Sequence, residues 1–117
     1  MNLDEYERHA ARTINVSLEE KERLLDAAAG LAEEAGEVLG LVRKHIFFGH
    51  PLDRERITKE LGDALWCLTI AARSAGVSLS DIARGNVEKL RKRYPEGFTS
   101  EASFREREEQ SDREQDL

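Results

Sequence analysis

The chain has little of what a disulfide scaffold, a chain of short strands or a membrane protein needs. It carries one cysteine, two prolines, one tryptophan and eight glycines in 117 residues. The single cysteine, Cys67, excludes an intramolecular disulfide and fits a reducing compartment. So few breakers leave no punctuation for many short strands, and aromatics at 6% are scarce for a sandwich core. No apolar run approaches the roughly 18–20 residues that cross a bilayer. The opening Met1-Asn2-Leu3-Asp4-Glu5 has neither the basic flank nor the apolar stretch of a signal peptide. The expected location is cytoplasmic, with no membrane partner. Basic residues are also in the minority, 18 Lys and Arg against 24 Asp and Glu, for a net charge of −6 and a pI near 5.1. A nucleic-acid partner is disfavoured, because phosphate neutralisation needs a basic footprint. A local basic patch would still suffice for a small phosphorylated ligand.

What is present reads as helix. Hydrophobic residues at 39% and charged residues at 36% suit one all-α domain with a modest core under a charged surface. The first amphipathic segment runs from Leu3 to Thr13, with Tyr6, Ala10 and Thr13 on one side. Ser17-Leu18-Glu19-Glu20 has the form of a capping box, in which a hydroxyl and a carboxylate satisfy free backbone amides. A long second helix follows, ending at Ile46–Phe48 before Gly49-His50-Pro51. Its apolar set is Leu24, Ala28, Leu31, Ala35, Val38 and Val42, a helical period held for five turns. Asp53 is the expected N-cap of a third helix that Gly76 stops, with Ile57, Leu61, Ala64, Leu65, Leu68 and Ala72 in its stripe. Ser78 or Ser80 starts a fourth, with Ile82, Ala83, Val87 and Leu90 inside and Tyr94-Pro95 at its end. Short links between such segments favour antiparallel neighbours, hence a four-helix bundle-like protomer over residues 1–98. Residues 99–117 hold seven acids against three arginines and few apolar side chains. That tail is expected to be flexible, or to form a short helix on a partner subunit.

The informative residues are carboxylates in apolar company. The second helix carries Glu33-Glu34-Ala35-Gly36-Glu37 and the third Glu60-Leu61-Gly62-Asp63. At 100° per residue, Glu34 falls inside the apolar arc of its helix and Glu37 at the rim. Glu60 falls beside Ala64 and Cys67, with Asp63 at the edge. A solvated face accounts for Glu19, Glu20 and Glu22 but not for Glu34 or Glu60. A buried, unpaired carboxylate costs several kcal/mol, so it must be protonated, paired or metal-bound. Neither stripe supplies a Lys or Arg partner nearby. Four carboxylates from two helices make a hard, oxygen-rich set suited to Mg²⁺, or Mn²⁺. A di-iron bundle would show Glu-x-x-His pairs, and the i+3 positions here are Glu37 and Asp63. His9, His45, His50 and Cys67 lack zinc-ligand spacing. Because Mg²⁺ keeps part of its water shell and bridges to phosphates, such a site implies a phosphorylated substrate. Basic residues that would meet it are Arg43 and Lys44 at the end of the second helix and Lys89 and Arg93 near the end of the fourth, although cations there also suit the helix dipole.

These residues resemble the MazG-type nucleoside triphosphate pyrophosphohydrolases of the all-α NTP pyrophosphatase superfamily. The likeness rests on Glu33, Glu34 and Glu37, then Glu60 and Asp63, within Gly36-Glu37-Val38 and Leu61-Gly62-Asp63-Ala64-Leu65-Trp66. It extends through Asn86-Val87-Glu88-Lys89-Leu90 to Arg93-Tyr94-Pro95-Glu96-Gly97-Phe98. The resemblance implies hydrolysis between the α and β phosphates to give a nucleoside monophosphate and pyrophosphate, with a housekeeping role in the nucleotide pool. It assigns Glu34, Glu37, Glu60 and Asp63 to the Mg²⁺ ions. Glu33 would orient or deprotonate the attacking water, though its wheel position also suits plain solvation. Lys44, Asn86, Lys89 and Arg93 would contact phosphates or sugar, with Tyr94 in support. Trp66, Phe47, Phe48 and His50 are candidates to stack on or edge a base, Trp66 equally for the core or a subunit contact. Substrate choice stays open, since the first helix offers only Tyr6 and His9. Family members assemble as dimers or tetramers, so a homodimer or homotetramer is expected.

Two rivals remain at this level. Phosphoribosyl-ATP pyrophosphatase belongs to the same superfamily, and the Arg93–Phe98 ending speaks against it. The other is a non-catalytic helical module that binds nucleotide or protein and keeps its acids for metal-linked folding.

Overall fold

The structure, a computed structural model, describes residues 1–105. Its helices are α1 (Leu3–Ala11), α2 (Glu20–Phe48), α3 (Arg54–Ser74) and α4 (Leu79–Arg93), and residues 100–105 are helical as well. No strand occurs among the described residues, in keeping with the all-α expectation. The chain divides into two compact units, Met1–Ser80 and the part from Asp81 onward. Most of the acidic tail lies outside the described residues.

Local chemistry sets the helix ends. The Asn2 side chain accepts the Glu5 amide at 2.9 Å, and Asp53 accepts that of Arg56 at 3.0 Å, each satisfying an orphan donor of the first turn. The start of α2 differs from the sequence reading. The amide and hydroxyl of Ser17 both donate to Asn15 Oδ1, at 3.0 and 2.6 Å, so Ser17 is held in an Asx-type turn. Glu19 becomes the N-cap, its amide donating to the Glu22 carboxylate at 2.8 Å. At the end of α3, Gly76 takes φ +79 and its amide returns to Arg73, while the Val77 amide returns to Ala72. This is a Schellman closure, and the left-handed residue it needs favours glycine.

Within the first unit, α2 and α3 run antiparallel in one register. Ala27 meets Ile70, Gly30 meets Cys67, and Glu34 meets Glu60 and Asp63. At the far end Leu41 and Lys44 share a cleft with Asp53 and Arg56. The first helix packs on α3. Ala10, Ala27 and Ile70 form a small core, with Tyr6, Ile14, Trp66 and Ala71 around it. The Trp66 indole N–H donates to Thr13 Oγ1 at 2.7 Å, and that hydroxyl donates to the Ala10 carbonyl. The Leu79 amide and Ser80 hydroxyl donate to Glu7 and Asp4, tying the first residues of α4 to α1.

The face of α2 that meets α3 is centred on Ala27, Gly30, Glu34 and Leu41, rotated from the expected stripe. Of that stripe, Leu31, Val38 and Val42 are half-buried and Leu24, Ala28 and Ala35 exposed. On α3 the expected Ile57, Ala64, Leu68 and Ala72 are half-buried or buried, whereas Leu61 is 53% and Leu65 39% exposed. The reason is steric: small residues at 27 and 30 admit close helix approach, whereas the bulkier apolar residues stand to one side.

In the second unit, Tyr94 closes α4 by donating its amide to the Leu90 carbonyl. A turn at Gly97, φ +89, brings the Phe98 ring to 5.5 Å from that of Tyr94, and the Arg93 guanidinium lies 5.7 Å from the Tyr94 ring centre. The Thr99 hydroxyl caps the next helical segment by accepting the Ala102 amide.

Candidate metal centre

The middle of the α2–α3 hairpin gathers carboxylates. Glu34, Glu60 and Asp63 each offer an oxygen, and these oxygens all lie within 4.8 Å of one another. Glu60 and Asp63, three residues apart, project from one side of α3, and α2 answers with Glu34. Glu34 and Glu60 are half-buried, as expected of acids inside an apolar arc, and Asp63 is exposed. None of the three is ion-paired to a Lys or Arg among the described residues.

The electrostatics follow from this crowding. Glu34 is pushed up to about 7, first by a hydrogen bond with Glu60 that holds the proton, then by burial and the nearby charges of Glu60, Asp63 and Glu33. Its Oε2 is buried without a hydrogen-bond partner. Polar atoms buried in this way are rare unless something absent from the protein chain satisfies them. A divalent cation would do so, since it takes hard oxygen donors and favours the deprotonated carboxylate. The donor set therefore fits such an ion. The same negative field, after burial, raises Cys67 and Tyr6. For Tyr6 the charges at Asp63 and Cys67 add to burial.

The other sequence candidates are placed as follows. Glu33 and Glu37 are exposed on α2 and stand outside the group of three. Lys44 lines a cleft of about 460 Å³ with Leu41, His50, Pro51, Asp53 and Arg56. Arg56 was not among the residues singled out from sequence, although it precedes Glu60 by four and so shares its face of α3, about 6 Å along the axis. That spacing was the available signal. Trp66 packs on the small core with its N–H engaged. Asn86, Lys89, Arg93 and Tyr94 belong to the second unit, where Asn86 and Lys89 are exposed on α4 and Arg93 and Tyr94 half-buried at its end. Phe47 and Phe48 are exposed, with the Arg43 guanidinium 5.4 Å from the Phe48 ring centre.

Among the described residues no helix is long and apolar enough to cross a membrane. A family profile for the MazG nucleotide pyrophosphohydrolase domain matches residues 22–98, which takes in every carboxylate of the cluster. Comparisons with curated proteins and with solved structures gave no match.

Proposed function

The chain belongs to the MazG nucleotide pyrophosphohydrolase family, and on that premise we propose that it hydrolyses nucleoside or deoxynucleoside triphosphates between the α and β phosphates, as a Mg²⁺-dependent housekeeping enzyme of the cytoplasm. The observation that carries the reading is the convergence of Glu34, Glu60 and Asp63 with an unsatisfied buried oxygen on Glu34. Residues 1–98 form the hydrolase domain, with 99–117 as an appendage.

Glu34, Glu60 and Asp63 hold the divalent ion, and Glu37, one turn beyond Glu34 on α2, completes the set from its rim. The ion, when bound, offsets the negative charge of the phosphates and favours hydroxide over water. Glu33 orients a water against the α-phosphorus and takes its proton. A bond forms from that oxygen to phosphorus, the bond to the bridging oxygen breaks, and pyrophosphate leaves with the electron pair. Arg56 lies about one turn from Glu60 on α3 and Lys44 about two turns beyond Glu37 on α2, and as cations they stabilise the departing phosphates. Lys89, Arg93 and Asn86 bind phosphate or sugar, Tyr94 supports them, and Trp66 contacts the base or a second subunit.

A second copy of the chain covers the exposed apolar residues Leu24, Leu39, Leu61 and Leu65, giving a homodimer or homotetramer. A panel of ribo- and deoxyribonucleotides and phosphoribosyl-ATP, assayed with Mg²⁺ or Mn²⁺ for monophosphate and pyrophosphate, tests the activity. Turnover of triphosphates is expected. Turnover of phosphoribosyl-ATP alone would reassign the substrate, and no turnover of any of them would favour a binding module.

A further inference from the structure

One close approach between α2 and α3 stands next to the carboxylates. A Cβ built on Gly30 would lie 2.8 Å from Cys67 Sγ and 3.9 Å from Cys67 Cβ. The first distance is well inside van der Waals contact, so the thiol fills the space a side chain at residue 30 would occupy. Other glycines of the two helices, Gly36, Gly40 and Gly62, would meet nothing within 4 Å. Gly30 is thus the helical glycine here whose missing side chain the partner helix uses.

Its position gives the contact leverage. Gly30 precedes Glu34 by four residues and Cys67 follows Asp63 by four, so the pair lies one turn from the cluster on the same facing surfaces. The thiol is buried, 8% exposed, so a new methyl at residue 30 requires either the sulfur or one of the two helices to shift. Helices pack as rigid, dense bodies, so a side chain inserted at this level moves one helix relative to the other. Mg²⁺ and similar ions tolerate little error in oxygen placement, and a site about 0.5 Å out of true is already impaired.

We propose that Gly30 and Cys67 are a positioning pair: their contact sets the separation of α2 and α3 at the turn beside Glu34, Glu60 and Asp63, and so sets the spacing of the metal-binding oxygens. The pair touches neither metal nor substrate. It rests on the metal reading above but goes beyond it, since neither residue is a ligand.

The test is Mn²⁺ binding to the full chain, titrated by calorimetry without nucleotide. Gly30→Ala is expected to weaken binding about tenfold or more, although alanine ordinarily favours a helix interior over glycine. Gly40→Ala, placed in open space, is expected to bind as the wild type does. The double variant Gly30→Ala/Cys67→Ala removes the sulfur that the new methyl meets, and is expected to recover wild-type affinity within about threefold. Unchanged binding in Gly30→Ala, equal weakening in Gly40→Ala, or no recovery in the double variant would each overturn the pair. Wild-type protein that binds no Mn²⁺ would instead overturn the metal centre itself. Should Gly30→Ala not fold, the wild-type thiol reports directly. Saturating Mn²⁺ is expected to slow modification of Cys67 by a thiol reagent at least tenfold, because the ion clamps the two helices that must part to expose it. An unchanged rate would overturn the coupling.

Discussion

At the scale of single residues the proposed chemistry turns on Glu34, because crowding by Glu60 and Asp63 makes its proton hard to remove without a cation. Glu34→Gln keeps the volume and removes the charge. Turnover is expected to fall by two orders of magnitude or more, measured as pyrophosphate release, while helix content by circular dichroism stays unchanged. The pH dependence follows from the same residue. Its carboxyl sits near 7 in the folded metal-free chain against an ordinary value of 4.5. Between those values the folded state holds more protons than the unfolded one, so the metal-free protein loses stability from this group as pH rises toward 7. Metal binding runs the other way, since the ion competes with the proton. Mn²⁺ affinity is expected to fall up to about tenfold per unit as pH drops below 7 and to level off above it, with proton release visible when titrations are repeated in buffers of different ionisation enthalpy.

Among the elements, α2 and α3 are the frame that holds the carboxylates. Asp53 anchors the frame at the start of α3, where its side chain accepts the Arg56 amide at 3.0 Å. Asp53→Ala is expected to cost about 1 kcal/mol in urea denaturation, the usual worth of such a cap. These ends were readable from sequence because caps and left-handed glycines act over three or four residues, as at Asp53 and Gly76. The start of α2 was misplaced by a competitor of equally short range, the Asn15 side chain that captures Ser17. The rotation of the α2 stripe was less legible. A hydrophobicity wheel scores Gly30 and Ala27 weakly, yet their small size is what lets α3 come close. That same weakness hid Gly30, whose role depends on a sulfur 37 positions away in the chain.

Over the whole molecule, the cluster was legible because the misfit of Glu34 and Glu60 in an apolar arc is a local pattern that two helices happen to repeat. Glu37 is exposed, as its rim position on the wheel implied, but its standing outside the close group depends on the crossing of α2 and α3 and not on either helix alone. The exposed Leu39, Leu61 and Leu65 argue for association of copies, and light scattering is expected to give a mass at least twice 13.3 kDa. Leu61→Glu, which puts charge on that face, is expected to shift the population toward single chains; a wild type already of 13.3 kDa would remove the oligomer. The cation is the point on which the rest turns, and diffraction from crystals grown with Mn²⁺ locates it by anomalous scattering. A peak bonded to oxygens of Glu34, Glu60 and Asp63 is the expected result. Those side chains left without metal at saturating Mn²⁺, with their oxygens turned apart toward solvent, would contradict it.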